Sequence, residues 1–390
     1  MISVSEARAA LLQLTQQMAI EQVPLSQAAG RVLAQEVCAR RDQPPFSASA
    51  MDGYAVKAEE VELHAMFQVI GEAAAGHRFA GKLQAGQAVR IFTGAPIPEG
   101  ADFVVIQEDV GRKKDLINIL NQPGASSNIR PRGGDFMEGQ ALSAPRVLRP
   151  ADIALLASMN IPEVPVRRRP VVALISTGDE LVMPGDIPGP DQIIASNTFG
   201  LKAMLDDCGA VTRILPIAKD TVSALRIAFS LAIPADLVVT IGGASVGDHD
   251  LVAQVTADLG MERAFYKIAM RPGKPLMAGR LQGIPMIGLP GTPVSAMVCG
   301  QIFILPMIHD MLGLPPLSQQ IATARLTHDL SANGPREHYM RAEVIGGEIS
   351  VFDNQDSSLL TVLSAANALL VRRPNDPARL AGDTLGYLAI

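Results

Sequence analysis

The sequence predicts a multi-domain chain of the α/β-plus-β class, and three observations carry that prediction. Between residues 168 and 313 strand-like apolar runs alternate with amphipathic stretches, the pattern of a mostly parallel sheet covered by helices on both faces. Residues 46–137 instead carry short apolar runs ("FQVIG", "QAVRIF", "DFVVIQED", "LINIL") spaced by Gly, Pro and Asn, as a small β domain does. Short alternating runs return from 319 to 390, a second small β domain. The 390 residues exceed one ordinary core, and a length of this kind sets a prior of about two to four domains.

Each element follows from local pattern. Residues 1–45 read as helices, opening with the amphipathic "MISVSEARAALLQLTQQM" and ending before Pro44-Pro45, which forces an extended stretch. "RPADIALLASMN" (149–160) reads as a short helix with proline at its start. Within the α/β zone "PVVALIS", "VTRILPI", "DLVVTI", "RAFYKIAM" and "IPMIGL" are strands. "NTFGLKAMLDDCGA" is a helix ending at glycine, "DTVSALRIAFSLA" a helix with an acidic first turn, and two more start near 250 and at Thr292. "LGLPPLS" (312–318) is a linker, and no internal repeat of roughly 20–50 residues stands out.

Composition narrows the function class. At 48% hydrophobic and 18% charged the chain can bury large cores, and a net charge of −6 argues against a protein that coats nucleic acid. Cys38, Cys208 and Cys299 lie far apart without CxxC spacing, which suits a reducing cytosol and excludes a disulfide framework. The start lacks a basic n-region and an apolar h-region, and no run approaches about 18 uninterrupted apolar residues, so neither a signal peptide nor a membrane span is expected.

The candidate chemistry sits at strand ends, where open parallel sheets gather their ligands. "STGDEL" (176–181) follows one strand and places Asp179 and Glu180 after a Thr177-Gly178 turn. "TIGGASVGDHD" follows another: Gly242, Gly243 and Gly247 allow close backbone approach, Ser245 adds a hydroxyl, and Asp248 and Asp250 supply acid. It matches neither GxGxxG nor a P-loop. Acids beside an anion cradle point to a divalent metal, because Mg²⁺ is held by one or two carboxylates plus substrate phosphates. "YKIAMRPGKPLM" surrounds Pro272-Gly273 with Lys267, Arg271 and Lys274, an oxyanion-binding composition. In "IGLPGTPVSAM", Thr292 is placed to cap a helix with Pro293 at its first position, and Pro290-Gly291 fixes the loop. Three β-zone strings, "SAMDGYAV", "RIFTGAPIPEGADFVV" and "RPRGGDF", each read alone as turns or loops. Spacing does not join them to the α/β zone.

In order along the chain, "GRVLAQEV", "PPFSASAMDGYAV", "RIFTGAPIPEGADFVV", "RPRGGDF", "STGDEL", "TIGGASVGDHD", "KIAMRPGKP" and "GLPGTPVSA" resemble the molybdopterin molybdenumtransferase (MoeA) family, whose other branch is the E-domain of gephyrin. The resemblance implies an elongated homodimer of four-part protomers. The parts are a MogA-like three-layer α/β domain (1–18 and 168–313), a linking domain (19–45 and 138–167), a small β domain (46–137) that covers the partner's active cleft, and a C-terminal β domain (318–390). It implies insertion of molybdenum from molybdate into adenylylated molybdopterin, with Mg²⁺ and release of AMP, in the cytoplasm. Other cofactor-biosynthesis proteins or apo-molybdoenzymes are further partners it admits. Asp52, Thr93, Asp135, Glu180, Asp220 and Asp250 carry over as catalytic residues, with Glu180 and Asp250 as Mg²⁺ ligands. Gly242, Gly243, Ser245, Gly247, Lys267, Arg271, Lys274, Pro290, Pro293 and Ser357 carry over as substrate-binding. Three departures stand out: Arg271 where the family usually has lysine, Thr292 where it has asparagine, and Gly134 where it has glutamate. The competing readings are a gephyrin-like binding scaffold and a drifted paralogue, either a carrier or a tungstate-specific insertase. A nicotinamide-dependent oxidoreductase lacks its glycine fingerprint.

Overall fold

The structure is a computed structural model that describes residues 1–243, 251–316 and 321–390. The alternating zone forms a six-stranded sheet in the order Val211–Ile214, Val171–Ser176, Leu237–Ile241, Ile284–Leu289, Met277–Leu281, Glu262–Tyr266. The first four strands are parallel, and the last two join antiparallel. Side chains alternate between two cores, as a pleat requires. Val172 and Leu174 pack with helices Asn197–Asp207 and Pro293–Cys299 on one face, while Ala173 and Ile175 pack with Val222–Ala232 and Leu251–Asp258 on the other. That is the expected three-layer arrangement, and helix Val4–Leu12 buries Val4, Ala7 and Leu11 in the first of these cores. Sealing a side chain such as Phe229 or Leu225 there contributes roughly 1.5–3 kcal/mol.

The parallel order brings the carboxyl ends of Val171–Ser176, Leu237–Ile241 and Ile284–Leu289 to one edge, and this positions the site. The helix that leaves this edge runs as Pro293–Cys299, a π-helical turn over Gly300–Ile304, and Leu305–Met311. Its 19 residues are apolar enough to cross a membrane, but 72% of that apolar window is buried inside the protein, as in a core helix.

Residues 46–137 form a six-stranded sheet in the order Phe103–Ile106, Gly53–Val56, Gln87–Ile91, Met66–Ala73, Leu116–Ile119, Val110–Lys113. The C-terminal part closes on itself: Glu337–Ile345 pairs with both Glu348–Val351 and Ala368–Arg372, so five strands form a small barrel and leave no open edge among them. A four-stranded sheet of Ile20–Pro24, Glu163–Arg167, Val32–Leu33 and Arg146–Val147 links the parts, beside helix Pro150–Ser158.

Several local expectations change. Residues 1–45 hold one α-helix and then short strands, because the β-rich segment 163–167 pairs with Ile20–Pro24 and overrides its propensity. "RAFYKIAM" breaks at Lys267, which sits at φ 72°, so Met270–Arg271 joins the C-terminal sheet instead. The strand Met277–Leu281 has no counterpart in the sequence reading. Helix Val222–Ala232 is capped by the Thr221 side chain, which leaves Asp220 before the first turn. Thr292 caps through its backbone position only, since its hydroxyl donates to Ser295 Oγ at 2.7 Å.

Candidate active site

A first cleft of about 230 Å³ opens at the carboxyl edge of the parallel sheet. Thr177, Gly178, Glu180, Asp220, Gly242, Gly243, Gly291 and Pro293 are among the residues that line it. The "STGDEL" turn is held by Thr177 N–H on the Ile241 carbonyl at 3.0 Å and Gly178 N–H on the Ala218 carbonyl at 3.1 Å. Gly178 lies at φ 149°, and a Cβ there would stand 2.4 Å from Glu180 Oε2, so only glycine lets the carboxylate fold back over the turn. Asp179 Oδ1 accepts from the Asp220 N–H at 3.3 Å, which brings three acids together. Burial, then the charges of Asp179 and Glu180, raise the Asp220 carboxyl above the ordinary range.

Gly242 and Gly243 have φ of 90° and 67°, and Gly242 packs beneath Gly291. Ser245, Gly247, Asp248 and Asp250 lie outside the described residues. The donor set still suits Mg²⁺. Glu180 and Asp220 present hard oxygen ligands to one cleft, and their mutual repulsion is what a dication relieves. Among the described residues no group of three or more ligating side chains forms a complete metal cage, so substrate oxygens would have to fill the remaining positions.

A second cleft of about 490 Å³ adjoins the first, and Gly291 lines both. Arg271, Lys274 and Arg336 supply its cations, with Pro290, Thr292, Ser295 and Ser357 between them. Its one carboxylate, Asp356, accepts from Ser358 Oγ at 2.6 Å and Ser358 N–H at 2.8 Å, and these bonds hold it below the usual range. Buried Arg341 fixes the loop that carries Ser357. Its Nη1 donates to the Asp356 carbonyl at 2.7 Å and its Nε to Gln355 Oε1 at 3.2 Å. The Ser357 carbonyl in turn accepts from Val294 N–H at 3.0 Å, tying the barrel to the proline loop. Lys267 lines neither cleft; its ammonium stands 5.0 Å from the Tyr266 ring centroid.

The three β-zone strings converge on each other. Asp52 precedes strand Gly53–Val56 instead of turning a hairpin, and its Oδ1 accepts from both Thr93 N–H and Thr93 Oγ1 at 2.7 Å. Those bonds, the backbone one first, keep the Asp52 carboxyl below its usual range. Buried Ser49 joins Gly94 and Ala95 through backbone bonds, and Asp135 N–H donates to Gln43 O at 2.9 Å. Asp42 holds the same loop through Arg132 at 2.5 Å and the Glu138 N–H at 2.8 Å. Asp52, Thr93 and Asp135 line neither cleft of the α/β unit.

Comparison with known proteins places the chain in a family. Profiles described as the MoeA N-terminal region (domain I and II), a probable molybdopterin binding domain and the MoeA C-terminal region (domain IV) match residues 2–160, 173–310 and 323–389. A molybdopterin molybdenumtransferase of Nostoc sp. is 40% identical over 331 residues, covering 82% of this chain and 76% of its own. The chain belongs to the MoeA family. A relative of the same name from Haemophilus influenzae is 34% identical and covers 99% of this chain and 98% of its own. A crystal structure of a molybdopterin biosynthesis MoeA protein from Pyrococcus horikoshii superimposes with a TM-score of 0.85 at 29% identity, over 100% of this chain and 98% of that one. A MoeA chain thus carries its acids, glycines and cations on separate sequence motifs, and the fold assembles the α/β ones around two joined clefts. Arg336, Gln355 and Asn197 were not singled out from the sequence. Arg336 directly follows Gly334-Pro335, a turn signal that could have drawn attention to it, whereas Gln355 and Asn197 have no adjacent glycine or proline and are revealed by the clefts they line.

Proposed function

We propose that the chain is a molybdopterin molybdenumtransferase that inserts molybdenum from molybdate into adenylylated molybdopterin and releases AMP. The observation that carries the reading is the pair of clefts sharing Gly291, one lined by acids and glycines, the other by cations. A nucleotide-linked pterin needs close backbone approach, which Gly242 and Gly243 permit, and a tetrahedral oxyanion needs the charge of Arg271 and Lys274. In this reading Lys267, at the end of strand Glu262–Tyr266, adds charge behind them. Pro290 and Pro293 shape the wall, and Ser357 closes it from the barrel. Gly247 and Ser245 belong to the same pterin-nucleotide role.

Glu180, with Asp250, would hold Mg²⁺, which supplies charge neutralisation at the pyrophosphate. Asp220 and Glu180 orient that linkage for cleavage, a reaction that depends on positioning and charge stabilisation and requires no Ser-His or Cys-His pair. Asp52, Thr93 and Asp135 act at the same linkage from the small β domain of a second protomer, in a homodimer whose division follows 1–18 with 168–313, 19–45 with 138–167, 46–137 and 318–390. The three free thiols fit a cytoplasmic setting. Arg271 keeps the charge that lysine has in relatives but offers a planar fork, which sets molybdate against tungstate preference as an open property of this chain.

The test follows AMP release from adenylylated molybdopterin with Mg²⁺ and either molybdate or tungstate. Molybdate-dependent release establishes the transferase. Tight pterin-nucleotide binding without release makes the chain a carrier or scaffold, and release with tungstate alone makes it a tungstate insertase.

A further inference from the structure

We infer that Asn197 is a positioning residue for the oxyanion: its amide fixes the Gly291–Thr292 peptide so that the Thr292 N–H serves as a donor in the cleft of Arg271 and Lys274. The inference rests on the transferase reading and names a residue and a backbone group for its oxyanion site.

Gly291 lines both clefts. On one side it packs on the glycine turn, since a Cβ at Gly291 would lie 3.4 Å from Gly242 Cα. Asn197, the first residue of its helix, reaches across 94 residues of sequence and donates from Nδ2 to the Gly291 carbonyl at 2.8 Å. Its Oδ1 faces the Ser196 hydroxyl at 3.4 Å, so the amide has a defined orientation. The Gly291–Thr292 bond is not among the cis peptides, and across a trans peptide the C=O and N–H point in opposite directions. A carbonyl held toward Asn197 in the first cleft therefore turns the Thr292 N–H away from that cleft. Thr292 lines the second cleft, and its N–H finds no acceptor among the described residues. Its hydroxyl is already committed to Ser295 Oγ. The flanking Pro290 and Pro293 carry no N–H, so this stretch offers few backbone donors and their direction matters. A backbone donor also explains how threonine serves at 292, because the contact does not depend on the side chain.

The experiment measures AMP release against molybdate concentration for the full chain, together with calorimetric binding of molybdate and of AMP with Mg²⁺. Asn197→Ala should raise the molybdate half-saturation about tenfold, the size of one lost hydrogen bond, with the saturated rate within about twofold of wild type. Asn197→Asp should raise it further, because its carboxylate repels the Gly291 carbonyl. Thr292→Pro removes the N–H at a residue whose φ of −70° already suits proline, and it should exceed the effect of Thr292→Ala by about tenfold. Unchanged molybdate saturation in the Asn197 variants overturns the inference. So does weakened AMP binding with normal molybdate saturation, which would make Asn197 a nucleotide contact. If wild type binds molybdate but releases no AMP, the transferase reading fails while equal or unequal molybdate affinities in the variants still decide the peptide's role. Failure of wild type to bind molybdate overturns both. Variants that lose their thermal transition are replaced by Asn197→Ser, which keeps a shorter polar group.

Discussion

The α/β unit and the small β unit carry the same kinds of residue at strand ends, but only in the α/β unit do they face the two clefts described. A parallel sheet sends every carboxyl end to one edge, so "STGDEL", the double glycine and the proline loop meet without any long-range signal in their sequences. In the small sheet only Gln87–Ile91 and Met66–Ala73 run parallel and every other neighbouring pair is antiparallel, so most strand ends alternate between edges. Asp52, before Gly53, reaches Thr93, after Ile91, because those two strands run oppositely with Gly53 opposite Ile91. The result is a bonded Asp52–Thr93 pair that lines neither of the two clefts. In the proposed reading, the second unit completes a site located on another protomer.

The largest expected effect breaks the Asp52–Thr93 pair. Asp52→Ala should lower the AMP release rate by about 10²–10⁴-fold, the range of a positioned acid or base, while the thermal transition moves little. Full activity in that variant would remove Asp52 from the chemistry. Next, Lys274→Ala in the second cleft should raise the molybdate half-saturation by about 10–100-fold, since a charged hydrogen-bond donor is lost, with AMP affinity kept. An equal loss for AMP would merge the two clefts into one binding site.

A third change sharpens the first cleft. Gly243→Ala places a Cβ 2.3 Å from Val252 Cγ2 at φ 67°, so it should cost roughly 1–3 kcal/mol in a urea titration and weaken AMP binding. A neutral result would mean that the glycine turn has room to move. The smallest effect at neutral pH concerns His338, which stands opposite Arg271 in the strand register. Burial, then the charges of Arg271, Arg372, Arg336 and Arg341, lowers its pKa to about 4. The unfolded chain takes up this proton near 6.5, so stability that is complete above 6.5 drains as pH falls toward 4. His338→Gln should flatten that slope between pH 6.5 and 4, read from the thermal midpoint at each pH, and should do little at pH 8.

Much of this was legible in the sequence because the information was local. The fully buried strand runs, the glycine after Asp207, and the acids following the parallel strands each declared themselves within a few residues. What stayed hidden depends on partners far along the chain. Strand Ile20–Pro24 exists because of Glu163–Arg167, and Met270–Arg271 leaves its expected strand to pair with Glu337–Ile345. Arg336 enters the second cleft because the strand after it pairs with Met270–Arg271 and its Nη1 donates to the Met270 carbonyl at 3.5 Å. The Asp52–Thr93 pair needed the antiparallel register, which no spacing in "SAMDGYAV" or "RIFTGAPIPEGADFVV" encodes by itself.

The central claim, that acids on the small β unit complete a cleft on another protomer, is tested most directly by mixing two inactive variants. Asp52→Ala and Glu180→Ala are each purified, combined under conditions that exchange subunits, and assayed for AMP release. If the site is shared across a two-fold dimer, random exchange should restore about a quarter of wild-type activity, because about half the dimers are mixed and each has one intact cleft. No recovery in demonstrably exchanged dimers would place both residues in one protomer's site and contradict the account.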